Sequence, residues 1–546
     1  MLRVVCFLLL LAVSVGLPPG IAAAAHSVRV RVLAINDFHG QLEAPHGGAD
    51  ASDRRALGGA AYLAAHVRRL AEQPHHVFVS AGDLINASPF PSALFQDEPT
   101  VEAMNAMGLA VNGVGNHEFD EGVDELLRMQ RGGCHARFGC RFRPRFDGAR
   151  FRFLAANVLS AHDGTPLFPP YELIAFGAVR IAFVGVTLQG TAGLVNAKGI
   201  AGWRFDAPWR SVNALVPALR AQGVEAIVVL LHEGGYAGGG ANDCPALSGP
   251  IRSIVARIDA AVDVIVTGHT HQRYNCVIEG RPVTSAGSAG QFVTRIDLDI
   301  DPRTGHVLAT QAYNEAVTHD IPPDPEVAAI VEDTVRVADR HDRVVGTLAQ
   351  DIRRTGAFPI DIARGGSGES PLGNLIADAQ LWATRTAGAQ IALTNPGGLR
   401  ADLERSADAR LLFSDLFAAQ PFSNHLVTLS LTGAQLRQLL ERQFDRAGRS
   451  PRVLQISQGL RYSWRASAPP GKRVRDVRLH GRPLASKKLY RVTVNDYLLG
   501  AGSRFAVLDA AGERVVGPLD VEALEAYARA NDPLVAPALG RIRRLD

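Results

Sequence analysis

Short apolar runs alternate with amphipathic segments through the first half of the chain. Eight runs have the length and the Val, Ile and Leu content of buried strands, among them HVFVSAGD, EAIVVLLHEGG and VDVIVTGHTH. Several of them are separated by segments with helical spacing, such as GGAAYLAAHVRRLAEQ and WRSVNALVPALRAQG. Apolar strands that alternate with helices indicate a layered α/β domain whose sheet faces are covered. We therefore predict an N-terminal α/β sandwich over residues 27–320.

A second α/β unit follows a proline-rich break at residues 322–325. The helical pattern EVAAIVEDTVRVADRHDRVV predicts a linker helix over residues 324–345. Over residues 346–546 the pattern predicts helices at GNLIADAQLWAT and TGAQLRQLLERQF, and strands at IALTN, LRYSW and RVTVN. A chain of 546 residues is too long for one hydrophobic core, so two domains agree with its length.

The N-terminus has the features of an export leader. It carries one Arg, an apolar run that ends near Leu17, a Pro-Pro-Gly break and an alanine-rich end. This order predicts a signal peptide over residues 1–25. An uncleaved anchor is the alternative, and the break and the small residues argue against it. No later segment approaches the ~20 apolar residues that span a bilayer, so we predict a periplasmic or secreted protein with no stable membrane span.

Composition and charge exclude some classes of protein. A content of 47% hydrophobic and 20% charged residues is that of an ordinary globular protein. Lys and Arg number 57 against 54 Asp and Glu, for a net charge of +3. This balance lacks the basic surplus of a nucleic-acid binder. The predicted partner is a small-molecule substrate and not a nucleic acid polymer. The sequence does not indicate an oligomeric state.

Four cysteines remain after the leader, and an oxidising compartment allows three ways to pair them. We predict a Cys134–Cys140 disulfide, which closes the short loop CHARFGC, and a Cys244–Cys276 disulfide. A zinc site is the alternative. The C-x5-C spacing, followed by two cysteines far apart in sequence, differs from that of zinc fingers and ribbons.

Polar side chains follow five of the predicted strands at the points where the strands end. They are Asp37, His39, Asp83, Asn116, His232, His269 and His271. Each alone has an ordinary explanation, such as a helix cap for Asp83 or a turn for Asn116. Sites in α/β sheets gather at the carboxyl ends of strands, and these residue types bind divalent metals. Seven ligands suit two metal ions that share a carboxylate, an arrangement that serves phosphoryl hydrolysis.

These motifs carry a family resemblance. DFH, GD, GNHE, a lone His and GHTH, in this order, resemble the calcineurin-like metallophosphoesterase superfamily. GNLIADA (373–379), NPGGLR (395–400) and QPFSNHLVTLSLTGAQL (420–436) resemble the C-terminal domain of exported 5'-nucleotidases, a family that includes UDP-sugar hydrolases and cyclic phosphodiesterases. The resemblance covers nearly all of the mature chain. It implies a metallophosphoesterase sandwich followed by a smaller α/β substrate-binding domain.

The resemblance also implies roles for individual residues. It places one metal ion on Asp37, His39, Asp83 and His271, and a second on Asp83, Asn116, His232 and His269, so that Asp83 bridges them. The two ions would be divalent, such as Zn or Mn, although an amide replaces His271 in some family members. His117 would stabilise the charge that develops on the phosphoryl group, and Asp120 would orient His117.

Substrate contacts are implied in the same way. Phe422 and Tyr497 would sandwich a nucleobase, Asn395 would contact the nucleoside, and Arg400 would bind phosphate. The chain departs from the family at two positions. Ser503 stands where an acidic residue normally binds the ribose, and Pro371 lies where some members have an arginine just before the GNL helix. We predict that Arg364 replaces that arginine, with Arg353 and Arg354 as alternatives.

The sequence thus predicts an exported enzyme with two metal ions that hydrolyses phosphoric esters, most simply nucleoside 5'-monophosphates. A 2',3'-cyclic nucleotide phosphodiesterase with 3'-nucleotidase activity and a UDP-sugar diphosphatase use the same metals and are the first alternatives. A thiosulfohydrolase is another, which Phe422 and Tyr497 disfavour. A non-catalytic exported binding protein is the alternative of another class, which the complete set of ligands disfavours.

Overall fold

The computed structural model describes residues 27–45, 56–422, 424–444, 451–500, 505–509 and 511–546. The predicted signal peptide and Ser503 lie outside these ranges. Within them the chain forms an N-terminal sandwich, a linker helix and a smaller C-terminal α/β domain. The predicted fold class is confirmed.

The N-terminal domain is built on two sheets. Its strands are β1 (Val28–Ile35), β2 (His76–Ser80), β3 (Leu109–Gly113), β4 (Arg152–Leu154), β5 (Val158–Ser160), β6 (Tyr171–Phe176), β7 (Val179–Thr187), β8 (Trp203–Phe205), β9 (Ala226–His232), β10 (Val264–Thr267), β11 (Arg273–Ile278), β12 (Arg281–Ala286), β13 (Phe292–Ile300) and β14 (Val307–Ala316). Its helices are α1 (Ala60–Leu70), α2 (Phe90–Ala93), α3 (Glu98–Met107), α4 (Val123–Arg131), α5 (Pro208–Ala221) and α6 (Pro250–Val255).

The strand order places the ends of the parallel strands together. One sheet has the order β14-β13-β1-β2-β3-β4, and the other has the order β11-β12-β10-β9-β7-β6. Strands β1 to β4 are parallel to one another, as are β7, β9, β10 and β12. Helices α1, α3 and α4 cover the outer face of the first sheet, while α5 and α6 cover that of the second. An apolar layer that includes Val79, Phe183 and Val228 fills the space between the sheets.

Two glycines allow the sheets to approach closely near the ends of these strands. A Cβ atom at Gly185 on β7 would meet the Cβ of Leu154 and would lie 2.7 Å from its carbonyl oxygen. A Cβ atom at Gly113 on β3 would lie 2.9 Å from the Cβ of Leu230. Real Cβ atoms do not approach this closely, because non-bonded carbon atoms repel one another strongly well inside their optimal separation of about 3.5–4.0 Å. The separation of the two sheets therefore depends on these glycines.

The linker helix α7 (Pro325–His341) packs on α1 and α3 of the N-terminal domain. Asp324 caps it, because its side chain accepts a hydrogen bond of 3.0 Å from the amide of Val327. The helix ends four residues before the predicted boundary at 345. Val344 already belongs to the next strand, where it pairs with Leu412 of the C-terminal domain, and this long-range pairing ends the helical pattern.

The C-terminal domain contains a mixed sheet covered on both faces. Its strands are β15 (Val344–Thr347), β16 (Ile391–Thr394), β17 (Arg410–Leu412), β18 (His425–Thr432), β19 (Gln455–Ile456), β20 (Leu460–Trp464), β21 (Val474–Leu479), β22 (Arg482–Pro483), β23 (Leu489–Asn495), β24 (Gly512–Leu519) and β25 (Ile542–Arg544). Its helices are α8 (Pro359–Ala363), α9 (Pro371–Ala383), α10 (Phe413–Ala419), α11 (Gly433–Arg442), α12 (Asp496–Gly500), α13 (Ala506–Asp509) and α14 (Asp520–Ala530). The central sheet has the order β19-β16-β23-β18-β24.

Both predicted disulfides are present. Cys134–Cys140 closes a loop after α4, and Cys244–Cys276 ties a loop to β11. Among the described residues, no helix combines the length and the apolar character that crossing a membrane requires.

Gly185→Ala tests the close approach of the two sheets. We expect it to lower the free energy of unfolding by about 1–3 kcal/mol, because the added methyl group overlaps Leu154. Urea denaturation measures the change. Gly190→Ala is the control, since its Cβ would meet its nearest neighbour only at 3.9 Å. Equal effects of the two substitutions would contradict the packing argument.

Candidate active site and metal centre

Seven polar side chains meet where parallel strands of both sheets end. In chain order they are Asp37, His39, Asp83, Asn116, His232, His269 and His271, and they lie at or just after the ends of β1, β2, β3, β9 and β10. All the residues that we predicted as metal ligands are therefore gathered in one place, at the edge that the two sheets share.

The loops that carry these side chains turn sharply. Five of the seven residues have left-handed backbone, with φ of 50° at Asp37, 49° at His39, 52° at Asp83, 70° at His269 and 52° at His271. Residues other than glycine rarely adopt this conformation, which costs on the order of 1–3 kcal/mol each. Such strain clusters at functional sites, where surrounding contacts hold it in place. Here it turns each side chain toward a common centre.

The first group of ligand atoms comes from Asp37, His39 and His271. The two Nε2 atoms of His39 and His271 lie 3.1 Å apart, and Nε2 of His271 lies 3.4 Å from Oδ1 of Asp37. Nε2 of His39 lies 4.0 Å from the same oxygen. Three ligand atoms at these separations can bind one cation.

The second group comes from Asp83, His232, His269 and Asn116. Nε2 of His232 lies 2.8 Å from Oδ2 of Asp83, and Nδ1 of His269 lies 2.8 Å from Oδ1 of Asn116. Oδ2 of Asp83 is also 3.8 Å from Nε2 of His39. Asp83 therefore lies between the two groups, where a carboxylate shared by two metal ions would have to be.

The histidines are oriented as metal ligands usually are. Nδ1 of His39 bonds to the carbonyl of Asn86 at 2.8 Å, and Nδ1 of His232 bonds to the carbonyl of Ala81 at 2.7 Å. These bonds fix each ring and leave Nε2 facing the centre, which is typical of metal-binding histidines. Nε2 of His232 is buried and makes no well-aligned hydrogen bond among the described residues. The donor set and its orientation fit divalent cations.

The buried carboxylates of the centre require positive charge nearby. Asp37 and Asp83 are 0% and 1% exposed. Burial alone would raise the pKa of Asp83, but the nearby imidazoles of His232 and His117 outweigh burial and hold that pKa well below its usual range. Burial would lower the pKa of His232, but Asp83 and Asp37 raise it to about 10. A buried carboxylate pair requires compensating charge, which a proton on His232 or a divalent cation supplies.

His117 lies beside this centre in the 3₁₀ turn His117–Phe119. Its amide donates to Oδ1 of Asp83 at 2.8 Å, and its Nδ1 bonds to Oδ2 of Asp120 at 2.7 Å. Burial would lower the pKa of His117, but the carboxylates of Asp120 and Asp83 outweigh it and raise that pKa. The raised pKa favours the protonated imidazole, in which Nε2 also carries an N–H; within the described part of the chain Nε2 makes no hydrogen bond.

Glu118 is a site residue to which our sequence analysis gave no role. Its carboxylate is 1% exposed and accepts hydrogen bonds from the amides of Asp83 (2.9 Å), Leu84 (2.8 Å) and Gly115 (2.7 Å). Burial and the Asp83 carboxylate raise the pKa of Glu118 to about 7. It thus holds the loop after β2 against the loop after β3. In the sequence, its place in the GNHE motif was the one indication that it belongs to the site.

Two C-terminal side chains reach the metal centre. The ring of Phe422 stacks on His117, with centroids 5.8 Å apart and an interplanar angle of 19°. The guanidinium of Arg400 lies 5.7 Å from the centre of the Phe422 ring. Burial lowers the pKa of Arg400, and the carboxylates of Asp83 and Asp120 oppose that shift. The two domains therefore meet at His117, and the region bounded by His117, Phe422 and Arg400 is called the cleft below.

The other predicted substrate contacts lie in the C-terminal domain. Asn395 accepts a hydrogen bond of 3.1 Å from the side chain of Asn495, and Tyr497 packs at the edge of the domain core. Arg364 is exposed in the turn after α8. Arg354 lies nearer the cleft, because it donates to the carbonyl of Arg400.

Pro371 has a structural explanation. It is the first residue of α9, and Ser370 caps the helix by accepting a hydrogen bond of 3.0 Å from the amide of Gly373. Proline is favoured at this position because its missing N–H has no partner within the helix.

The sequence analysis gave no role to Arg452, whose charge acts on His269. Burial and the charge of His232 lower the pKa of His269, and the charge of Arg452 lowers that pKa further.

Comparisons with known proteins agree with this arrangement. Residues 30–273 match the profile of the calcineurin-like phosphoesterases, and residues 344–510 match that of the 5'-nucleotidase C-terminal domain. The structure is similar to the crystal structure of a 5'-nucleotidase precursor from Thermus thermophilus. The TM-score is 0.79 at 28% identity, and the match covers 95% of this chain and 100% of that one.

Two curated relatives are longer than this chain. It is 32% identical over 533 residues to endonuclease YhcR of Bacillus subtilis (strain 168), which covers 95% of this chain and 41% of YhcR. It is 31% identical over 518 residues to cell wall protein Lmo0130 of Listeria monocytogenes serovar 1/2a, which covers 89% of this chain and 65% of Lmo0130. The chain thus spans less than two thirds of either relative.

Glu118→Gln tests the support of the metal-centre loops. We expect it to lower the free energy of unfolding by about 1–3 kcal/mol, because an amide cannot accept from all three backbone N–H groups. Urea denaturation of metal-free protein measures this. Glu102→Gln, which breaks a half-exposed ion pair with Arg143, should cost less than about 1 kcal/mol. A Glu118→Gln protein as stable as the wild type would show that the carboxylate is not required.

Proposed function

Because this chain belongs to the family that joins a calcineurin-like phosphoesterase domain to a 5'-nucleotidase C-terminal domain, we propose that it hydrolyses nucleoside 5'-monophosphates to nucleoside and phosphate. The family consists of hydrolases of phosphoric esters. One observation carries the proposal. Seven side chains suited to two metal ions surround one end of a cleft, and Phe422 and Arg400 of the other domain lie directly across it from His117.

The proposed metal ions are divalent, such as Zn or Mn. Asp37, His39 and His271 would hold one ion, and His232, His269 and Asn116 the other, with Asp83 shared between them. When bound, such ions neutralise phosphate charge and activate water as the nucleophile. The buried carboxylates and inward-facing Nε2 atoms are the features that support this assignment.

His117 and Asp120 supply the protein's own contribution to the reaction. Asp120 accepts a hydrogen bond from Nδ1 of His117 and, with Asp83, raises the pKa of the ring. In the doubly protonated ring Nε2 also carries an N–H, which donates a hydrogen bond to the substrate oxygen on which charge develops. A donor that is already oriented in a water-poor site stabilises the transition state without reorganisation. The bond from the His117 amide to Asp83 keeps this donor at a fixed position relative to the metal ligands.

Arg400 and Phe422 bind the substrate in this proposal. The half-buried guanidinium of Arg400 lies in the cleft and would pair with the phosphate, for which arginine has a suitable fork of donors. The face of Phe422 would stack on the nucleobase, with Tyr497 as the second aromatic side chain and Asn395 as a polar contact. Aromatic faces accept every base, so the site does not select one by stacking alone.

We propose that the protein is exported and acts in the periplasm or outside the cell. The leader-like composition of residues 1–25 supports this location. The two disulfides of the structure are typical of oxidising compartments. The relative Lmo0130 is named a cell wall protein.

Phosphate release from AMP is the first test. We expect the manganese- or zinc-loaded protein to release phosphate from AMP, and His117→Ala to lower kcat about 100-fold or more through loss of the oriented donor. His162→Ala is the matched control, since His162 is exposed and outside the cleft. The same assay includes 3'-AMP, 2',3'-cyclic AMP and UDP-glucose, with added phosphatase for the last two.

The outcomes separate the alternatives. Turnover of only the cyclic or diphosphate substrates would agree with the proposed metal centre, but it would show that the substrate is a cyclic nucleotide or a nucleotide sugar and not a nucleoside 5'-monophosphate. Absence of turnover with two metal ions bound would overturn the nucleotide substrate in favour of a sulfur ester or a binding role. Equal activity of His117→Ala and wild type would remove His117 from the mechanism.

Phe422→Ala tests the base-binding role separately from the chemistry. Loss of the stack should raise KM for AMP about 10-fold or more, since one base stack contributes roughly 1–3 kcal/mol. KM for glycerol 2-phosphate, which has no base, should change less than about twofold. Phe138→Ala is the control, because Phe138 is 37% exposed in the Cys134–Cys140 loop. An equal rise in KM for both substrates would show that Phe422 does not recognise the base.

A further inference from the structure

Asn86 connects two parts of the site that the sequence places far apart. Its carbonyl oxygen accepts the hydrogen bond from Nδ1 of His39 at 2.8 Å. Its side-chain Nδ2 donates to the carbonyl oxygen of His117, also at 2.8 Å. One residue therefore contacts the ring of a metal-ligand candidate and the backbone of the turn that carries the imidazole donor.

The loop that carries Asn86 is held in a strained conformation. Asn86 has φ of 64° and Ala87 has φ of 51°, so two consecutive residues other than glycine are left-handed. The amide of Asn86 donates to Oδ2 of Asp97 at 2.8 Å. Asp97 is 3% exposed, and its other oxygen accepts from the hydroxyl of Ser92 at 2.7 Å. This buried carboxylate fixes the loop, and strained backbone persists only where such contacts hold it.

We propose that Asn86 is a positioning residue for His117, and that it sets the imidazole relative to the metal centre through its side-chain hydrogen bond. This inference rests on the proposed function, since it gives His117 its catalytic role. Asn86 is not one of the metal-ligand candidates and would act through His39 and His117, with which it forms hydrogen bonds.

The geometry shows why one hydrogen bond has this effect. The turn His117–Phe119 is held at its amide by Asp83 and at its side chain by Asp120. The His117 carbonyl accepts from the Asp120 amide at 3.1 Å within the turn, and Asn86 is its contact to the loop after β2. Without the Asn86 donor the carbonyl keeps only the bond within the turn, so the turn can shift relative to that loop and move the imidazole. A misplacement of about 1 Å can reduce a rate by about 100-fold.

Two substitutions isolate the side chain. Asn86→Gly keeps the carbonyl bond to His39 and tolerates positive φ, but it removes the donor. Asn86→Asp also tolerates positive φ and replaces the donor by an acceptor. With AMP, we expect both variants to lower kcat about 10-fold, with KM within twofold and both manganese ions retained. The control Asn242→Gly removes a similar bond, from Nδ2 to the carbonyl of Asn314 at 3.0 Å, and should leave kcat unchanged.

A double-variant cycle shows whether Asn86 acts through His117. In a His117→Ala background, neither Asn86 substitution should lower kcat further, because the group that it positions is gone. The same fold loss in both backgrounds would overturn the proposal.

Hydrogen exchange provides a readout that does not depend on activity. Amides of residues 115–120 should exchange about 10-fold faster in both Asn86 variants than in the wild type. In Asn242→Gly their exchange rates should equal those of the wild type. Faster exchange in Asn86→Gly alone would overturn the proposal, because added chain flexibility would then explain it. If the wild type hydrolyses no phosphoric ester, the proposed function fails, and exchange alone decides the positioning role.

Discussion

The burial of two carboxylates, Asp37 and Asp83, is the constraint on which the candidate site depends. Neither is more than 1% exposed, so each must be surrounded by donors and positive charge. The amide of His269 donates to both oxygens of Asp37 at 3.0 Å, and the amide of His117 donates to Asp83. Each of these contacts comes from the loop that follows a different strand. The requirement to satisfy two buried anions thus organises the loops of both sheets.

Close approach of the sheets makes this gathering possible. Glycines stand at the points where a side chain would force the loops apart. A Cβ atom at Gly115 would collide with Oδ1 of Asp83, and one at Gly268 would lie 2.9 Å from Nδ1 of His232. The left-handed backbone at Asp37, Asp83 and His269 is the cost of turning side chains inward over so short a distance. The packed layer between the sheets and the hydrogen bonds of the centre offset that strain.

The sequence was most informative where chemistry interrupts an apolar pattern. Asp83 and His232 each follow a run of buried residues, and parallel strands bring such ends together, so the candidate centre could be predicted. The roles of Glu118 and Asn86 could not, because both act on backbone groups of distant segments and no spacing marks such contacts, although GNHE did mark the position of Glu118. The end of α7 was placed too late for a related reason. Pairing of Val344 with Leu412 overrides a local helical pattern.

The position of Phe422 constrains how a nucleotide fits the proposed reaction. The rings of His117 and Phe422 are nearly parallel, and their centroids are 5.8 Å apart. A base inserted between them would need two contact gaps, about 7 Å in all. In the proposed reaction the base would therefore stack on the opposite face of Phe422, in the C-terminal domain that also carries Tyr497. The phosphate would lie on the side of His117 that faces Asp83, near Arg400. Each domain would then supply one half of recognition, with the stacked pair of rings as the boundary between the halves.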